Sequence, residues 1–232
     1  MEQPHSLNPA LADPGLVADL AASLAEGAAS HVAEVAKRVP KAEILVQLDE
    51  PALPAVLHGA VPTPSGLSRV RAVEDEVARE RLHAVIAATQ KYTLVHCCGR
   101  DIPFGIIKSA GAGAISFDPS QLRRGDFDGF AEAAEAGVGM LIGALPATGP
   151  QESAQARRPG RDERERPSPS DTARIVRDLW RKMDLPSARC APQVVITPAC
   201  GLAGASPKQA RDALRWCREA AQVLPEMMGE LT

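Results

Sequence analysis

Three soft donor side chains stand together in the run Thr93-Leu94-Val95-His96-Cys97-Cys98-Gly99. Along an extended chain, residues two apart project to the same side. His96 and Cys98 therefore face together, and Cys97 faces the opposite way, into packing. Imidazole and thiolate match Zn²⁺ well and Mg²⁺ or Ca²⁺ poorly. Two donors do not make a site, so partners must come from elsewhere in the chain. One is Cys200, which follows the apolar run Val194-Val195-Ile196-Thr197 and precedes Gly201. Another is Asp118, at the end of Ala114-Ile115-Ser116-Phe117. His96, Cys98, Asp118 and Cys200 would form a tetrahedral set. Free cysteines also serve as small buried hydrophobes, and spacing alone supports the two readings equally. A further carboxylate, Asp49, opens the stretch Asp49-Glu50-Pro51-Ala52 after an apolar run. There it can hold a substrate ammonium or cap the following turn, and capping is the commoner use of such a pair before proline.

The elements that would position these residues alternate. Asp13 and Pro14 cap and start a long helix reaching about Val39. A buried-type strand over Ile44 to Leu48 follows, then an amphipathic helix over residues 70 to 90. The strand ending at His96 leads to a short helix at Phe104 to Ser109, a strand at Ala114 to Phe117 and a helix at Phe127 to Ala136. A strand at Val138 to Leu145, a helix at residues 170 to 183 capped by Ser170 or Asp171, the strand ending near Cys200 and a helix from Ser206-Pro207 to about Val223 complete the chain. One helix followed by five β-α units calls for a parallel sheet with right-handed crossovers. A (β/α)₈ TIM-type barrel and an open doubly wound sheet both accommodate this, and functional groups gather at the carboxyl ends of the strands in either. No G-x-G-x-x-G follows the first strand, which disfavours a dinucleotide-binding domain. The expected organisation is a disordered tail over residues 1–12, then one domain over 13–232. Residues 149–169, rich in Pro, Arg, Glu and Ser, should form a flexible loop within it.

Bulk properties exclude several partners. The formal net charge of -3 gives no attraction to nucleic acid or an anionic membrane, and 3% aromatics provide no base-stacking platform. No apolar run approaches a membrane span, and no signal peptide opens the chain. The five cysteines are odd in number, with two adjacent, which suits thiol or metal chemistry in the cytoplasm better than a disulfide framework. The remaining candidates have ordinary explanations. His31 and His83 lie in helical patterns, His58 in a loop and His5 in the tail. Cys217 beside Trp216 is packing, Cys190 has no metal partner nearby, and Ser206 is a helix cap.

Together, VQLDEPALP, LVHCCG, AISFD and VITPACGLAGAS resemble, in that order, the catalytic barrel of cobalamin-independent methionine synthase. The likeness runs from about Leu16 to Leu224 apart from the 149–169 loop, and is greatest to the short, single-barrel members. It implies methyl transfer from a methylated folate, which can be polyglutamylated, to homocysteine. It also implies Zn²⁺ held by His96, Cys98, Asp118 and Cys200, and Asp49 on the amino group of homocysteine. Zinc suits the chemistry because a free thiol is mostly protonated at neutral pH, while a coordinated one is ionised and still able to attack carbon. Two departures stand out. The family carboxylate ligand is usually Glu, one methylene longer than Asp118. About three β-α units of the family barrel have no counterpart before Leu16, so the expectation is an upstream start or a fragment, with exposed sheet edges prone to self-association. Alternatives within the same superfamily are a methyltransferase fed by a methylcorrinoid protein and a uroporphyrinogen decarboxylase-like protein. A non-catalytic remnant is the third.

Overall fold

The structure is a computed structural model and describes residues 9–147 and 168–229. Among these, eight α-helices and five strands follow one another. They are α1 (Pro14–Arg38), β1 (Leu45–Asp49), α2 (Leu53–Leu57), α3 (Asp75–Thr89), β2 (Tyr92–His96), α4 (Phe104–Ser109), β3 (Ala114–Phe117), α5 (Phe127–Glu135), β4 (Gly139–Leu145), α6 (Pro169–Lys182), α7 (Ser187–Gln193), β5 (Val194–Pro198) and α8 (Pro207–Gly229). The strands form one sheet in the order β1-β2-β3-β4-β5, and β1–β2 and β4–β5 pair in parallel. A doubly wound sheet reverses its strand order at a switch point, whereas barrel strands follow the chain order. The sequential order here is that of the barrel.

Contacts divide the chain into two compact units, residues 1–97 with 103–114 and residues 98–102 with 115–232. In the first, α1 packs on α3, and Val32 of α1 and Leu82, Val85 and Ile86 of α3 are buried. The α1 start is built as its sequence requires. Asp13 accepts from the N–H groups of Gly15 and Leu16 at 3.0 and 3.1 Å, and Pro14, which has no N–H to satisfy, takes the first helical position. In β2, Thr93, Leu94, Val95 and His96 are all buried, which is the continuous burial expected of a strand inside a parallel sheet.

The second unit is organised around three aromatic rings. Phe130 is fully buried and meets Phe117 and Trp180 edge-on, with centroids 5.6 and 6.2 Å away. The Trp180 indole N–H donates to the Pro186 carbonyl at 3.1 Å, and that of Trp216 donates to Thr172 Oγ1 at 2.9 Å. Both polar handles are thus satisfied within apolar surroundings, and α6 and α8 are joined by the second of them.

Three expectations need correction or delimitation. The tail expected over residues 1–12 lies outside the described residues as far as residue 8. Beyond that, Ala10–Ala12 form a 3-10 turn with Ala10 buried, because Ala12 and Asp13 donate to the Pro9 and Ala10 carbonyls and so satisfy the backbone locally. The flexible loop placed at 149–169 lies outside the described residues up to 167. Pro169 is already the first residue of α6, and Ser168 precedes it. The cap of that helix is Ser168, not Ser170 or Asp171. Its Oγ accepts from the Asp171 N–H at 3.2 Å while the Asp171 carboxylate accepts from the Ser168 N–H at 2.8 Å, a reciprocal capping box.

Candidate metal centre

β2 delivers His96 as its last residue, and β1 ends alongside it, with Asp49 in register with His96. The Glu50 N–H donates to the His96 carbonyl at 2.8 Å and continues the ladder one step past the strand. The chain then leaves the sheet. Cys97 is fully buried and Cys98 half-buried, as the alternation requires. At the far end of the sequence, β5 stops at Pro198, which cannot donate to a ladder, and Cys200 emerges exposed two residues later.

One imidazole nitrogen of His96 and the sulfurs of Cys98 and Cys200 all lie within 4.8 Å of one another. A tetrahedral zinc with bonds of about 2.3 Å to sulfur and 2.0–2.1 Å to nitrogen needs its donors roughly 3.5–3.8 Å apart. The three side chains therefore need to close by at most about 1.0–1.3 Å to grip an ion. The donor set, one borderline nitrogen and two sulfurs, is that of zinc rather than of a hard cation. Residues and ion fit.

The electrostatics point the same way. Burial pushes the Cys98 thiol above its ordinary value. The neighbouring Cys200, by charge and by hydrogen bond, pushes it further, and the Asp118 carboxylate adds a smaller push in the same direction. Three groups that can carry negative charge crowd one spot, so Cys98 keeps its proton. A divalent cation held here would invert this order and favour the thiolate.

Asp118 is less intimate with the cluster than the four-ligand expectation requires. It follows β3, and its Oδ1 accepts from the Ser120 N–H at 2.8 Å, capping the 3-10 turn Pro119–Gln121. It stands outside the 4.8 Å group, although its charge is felt at Cys98. Two contacts tie the loop after β2 to the loop after β3. Arg100 Nε donates to Gln121 Oε1 at 3.4 Å, and Arg123 Nη1 lies 3.5 Å from Asp101 Oδ1. Asp101 has φ 59, a left-handed conformation rare outside glycine, asparagine and aspartate, so this short loop is held in a particular bend.

Asp49 is exposed and accepts from Gln47 Nε2 at 2.7 Å. Its neighbour Glu50 was not singled out from the sequence. Burial, and then the charge of Asp49, push the Glu50 carboxyl above the usual carboxylate range. The Asp-Glu-Pro order was visible, but which of the two carboxyls is half-buried depends on strand register. The remaining candidates stay ordinary. His83 Nδ1 pairs with the Ala110 carbonyl at 3.0 Å. Cys190 and Cys217 are buried, and burial pushes their thiols up to about 12 and about 11, the signature of inert packing.

Among curated proteins, none matches this chain. Residues 10–223 match the family described as the catalytic domain of cobalamin-independent synthase, and no described helix is long and apolar enough to cross a membrane. With a match over nearly its whole length and three soft donors gathered where strand ends meet, this chain belongs to the cobalamin-independent synthase catalytic-domain family.

Proposed function

We propose that this chain is a zinc-dependent methyltransferase of the methionine synthase type, moving a methyl group from a methylated folate to the sulfur of homocysteine. The observation that carries the reading is the convergence of His96, Cys98 and Cys200 on a point at which a zinc ion fits. A bound Zn²⁺ would supply the charge that makes a substrate thiol a thiolate at neutral pH. His96, Cys98 and Cys200 would hold the ion, with Asp118 as fourth ligand or as the carboxylate that balances its charge. With Asp118 as the charge-balancing carboxylate, three protein ligands would leave room for the substrate sulfur, as a catalytic site requires. Asp49, exposed and in register with His96, binds the substrate ammonium. In the transfer, a carbon–sulfur bond forms as the donor's carbon–nitrogen bond breaks, and the thiol's proton compensates the nitrogen.

The family is named for independence from cobalamin, which favours a folate donor over a methylcorrinoid protein. A uroporphyrinogen decarboxylase-like activity has no use for two convergent thiols. The odd number of cysteines, with two of them at the candidate site, suits a reducing compartment and supports a cytoplasmic location. Leu45 and Val195, on the first and last strands of the sheet, are 57% and 53% exposed and would be covered if copies associate through those strands.

The test is metal analysis and methyl transfer on the purified chain beside Cys200→Ser. About one Zn²⁺ per wild-type chain, far less in the variant, and methionine formed from homocysteine and methyltetrahydrofolate by the wild type alone are expected. Equal metal in both chains removes Cys200 from the site. Zinc without transfer from the folate, but with transfer from a methylcorrinoid, replaces the donor.

A further inference from the structure

We propose that Gly143 is a spacer that sets the separation of the strand ends carrying Cys200 and Asp118, and hence the approach of the Cys200 thiol to Cys98. The inference rests on the metal-site reading above and adds a positioning residue to it.

Gly143 lies inside β4, where a glycine costs strand stability and signals a close backbone approach. Its φ is not among the positive values found at Gly59, Gly66, Gly111 and Gly137, so conformational freedom is not the reason for it. Space is. A Cβ built on Gly143 would stand 2.5 Å from Ala199 Cα, 3.2 Å from Ala199 N and 2.9 Å from the Phe117 carbonyl oxygen. All three are backbone atoms, and no rotamer change can move them aside. Ala199 is the residue before Cys200, and Phe117 is the residue before Asp118. The missing methyl thus lies between the backbones that carry two of the candidate ligands.

The pairing of β4 with β5 shows how that approach is produced. Met140, Leu141 and Ile142 oppose Val194, Val195 and Ile196 in step, but the next pair is Leu145 with Pro198. From Ile142 to Leu145 the chain advances three residues while β5 advances two, so β4 carries one extra residue at Gly143-Ala144. A bulge of this kind bends the strand and redirects the chain beside it. The Ala199 N–H then donates to the Leu145 carbonyl at 2.8 Å, which fixes the last residue before Cys200.

Restoring ordinary contact, which begins at 3.4 Å, requires Ala199 to retreat by about 0.9 Å from the new methyl carbon. Functional constellations tolerate about 0.5 Å. Alanine at 143 therefore disturbs the thiol pair by more than a site can absorb, while leaving the rest of β4 in place.

The experiment compares the wild type, Gly143→Ala and Gly125→Ala, the last a glycine with nothing within 4 Å of an added Cβ. The first readout needs no metal. Diamide cross-linking of Cys98 to Cys200 in metal-free protein, followed by mass spectrometry of the joined peptides, reports thiol approach directly. Disulfide closure needs Cβ atoms about 3.8 Å apart, so Gly143→Ala should cross-link at least about tenfold more slowly. The second readout is Co²⁺ titration, followed by its thiolate charge-transfer absorption. Affinity should fall about 10–100-fold in Gly143→Ala, the usual cost of disturbing the shell behind a metal ligand. Gly125→Ala should match the wild type in both. A folded Gly143→Ala chain with the wild-type cross-linking rate overturns the proposal. If Gly143→Ala loses its helical circular dichroism, the variant with Ala199→Gly added gives the backbone at 199 freedom to swing round the methyl. Slow cross-linking in that folded chain supports the spacer, and the wild-type rate overturns it. Should the wild type bind no Co²⁺, the metal reading fails, and cross-linking still decides the role of Gly143.

Discussion

Substituting Cys98 by serine turns the crowding of negative charge at the centre into a proton count. In the metal-free chain, burial is the main reason the Cys98 thiol sits above its ordinary value, with Cys200 next and Asp118 last. A thiol so raised is protonated at neutral pH, whereas a metal ligand must be thiolate. Each ion bound near pH 7 therefore expels about one proton from Cys98, and this residue alone makes the apparent affinity rise about tenfold per pH unit. The sign is definite. Affinity falls as pH falls, and the Cys98 contribution flattens only above the raised thiol value. Calorimetric titration with Zn²⁺ in buffers of different ionisation enthalpy, repeated at two pH values near neutrality, counts the protons released. Cys98→Ser should release about one fewer proton per ion and lose about one power of ten per pH unit in the dependence of affinity. Its affinity should also drop by more than the 10–100-fold typical of outer-shell changes. Equal proton release by the two chains would show that Cys98 does not give up a proton to the ion, and the electrostatic account of the centre would be wrong.

Other outcomes follow from the same structure. Phe130→Ala removes a fully buried ring and two edge-on contacts, and should destabilise the chain by about 3–5 kcal/mol in urea unfolding. Cys190, pushed from 9.0 to about 12 by burial, holds its proton when folded to a higher pH than when unfolded. Its contribution is therefore complete below pH 9 and lost as pH rises toward 12, at up to about 1.4 kcal/mol per pH unit, and Cys190→Ala should flatten that part of an alkaline unfolding profile. Asp49→Asn should raise KM for homocysteine about 10–100-fold, the worth of one charged hydrogen bond, with zinc content unchanged. Loss of zinc in that variant would make Asp49 part of the metal centre instead.

Legibility from sequence followed the range of the interactions that decide each feature. The β3 span Ala114–Phe117 and the α4 span Phe104–Ser109 coincide with their expected limits, because apolar runs bounded by Gly, Pro or Asp are set locally. The alternation that turns Cys97 inward and Cys98 outward is likewise a property of adjacent residues. The short helices α2 and α7 were not expected, since Pro54 and Pro192 lie within them and neither is long enough to show a period. α8 continues through Pro225 to Gly229 rather than ending near Val223, with Leu224 and Met228 buried. At the centre, His96, Cys98 and Cys200 were visible as donors at strand ends, and their convergence is observed. The looser placement of Asp118 was not legible, because its cap to Ser120 competes locally for the carboxylate. In the sequence Gly143 is one more residue of the strand expected at Val138 to Leu145, with nothing to mark it. What it accommodates is the backbone of residues 117 and 199, which only the folded sheet brings together.

The location of the indoles has a practical consequence for watching this molecule come apart. The chain has two tryptophans, Trp180 and Trp216, and both lie in the unit formed by residues 98–102 and 115–232, while the single tyrosine, Tyr92, lies in the other. Emission excited at the red edge of the protein band therefore reports on that one unit and is blind to its companion, whereas the far-ultraviolet helical signal sums both. A coincident midpoint for the two probes would mean that the units melt as a single cooperative block. Separated midpoints would identify by colour which of them lets go first.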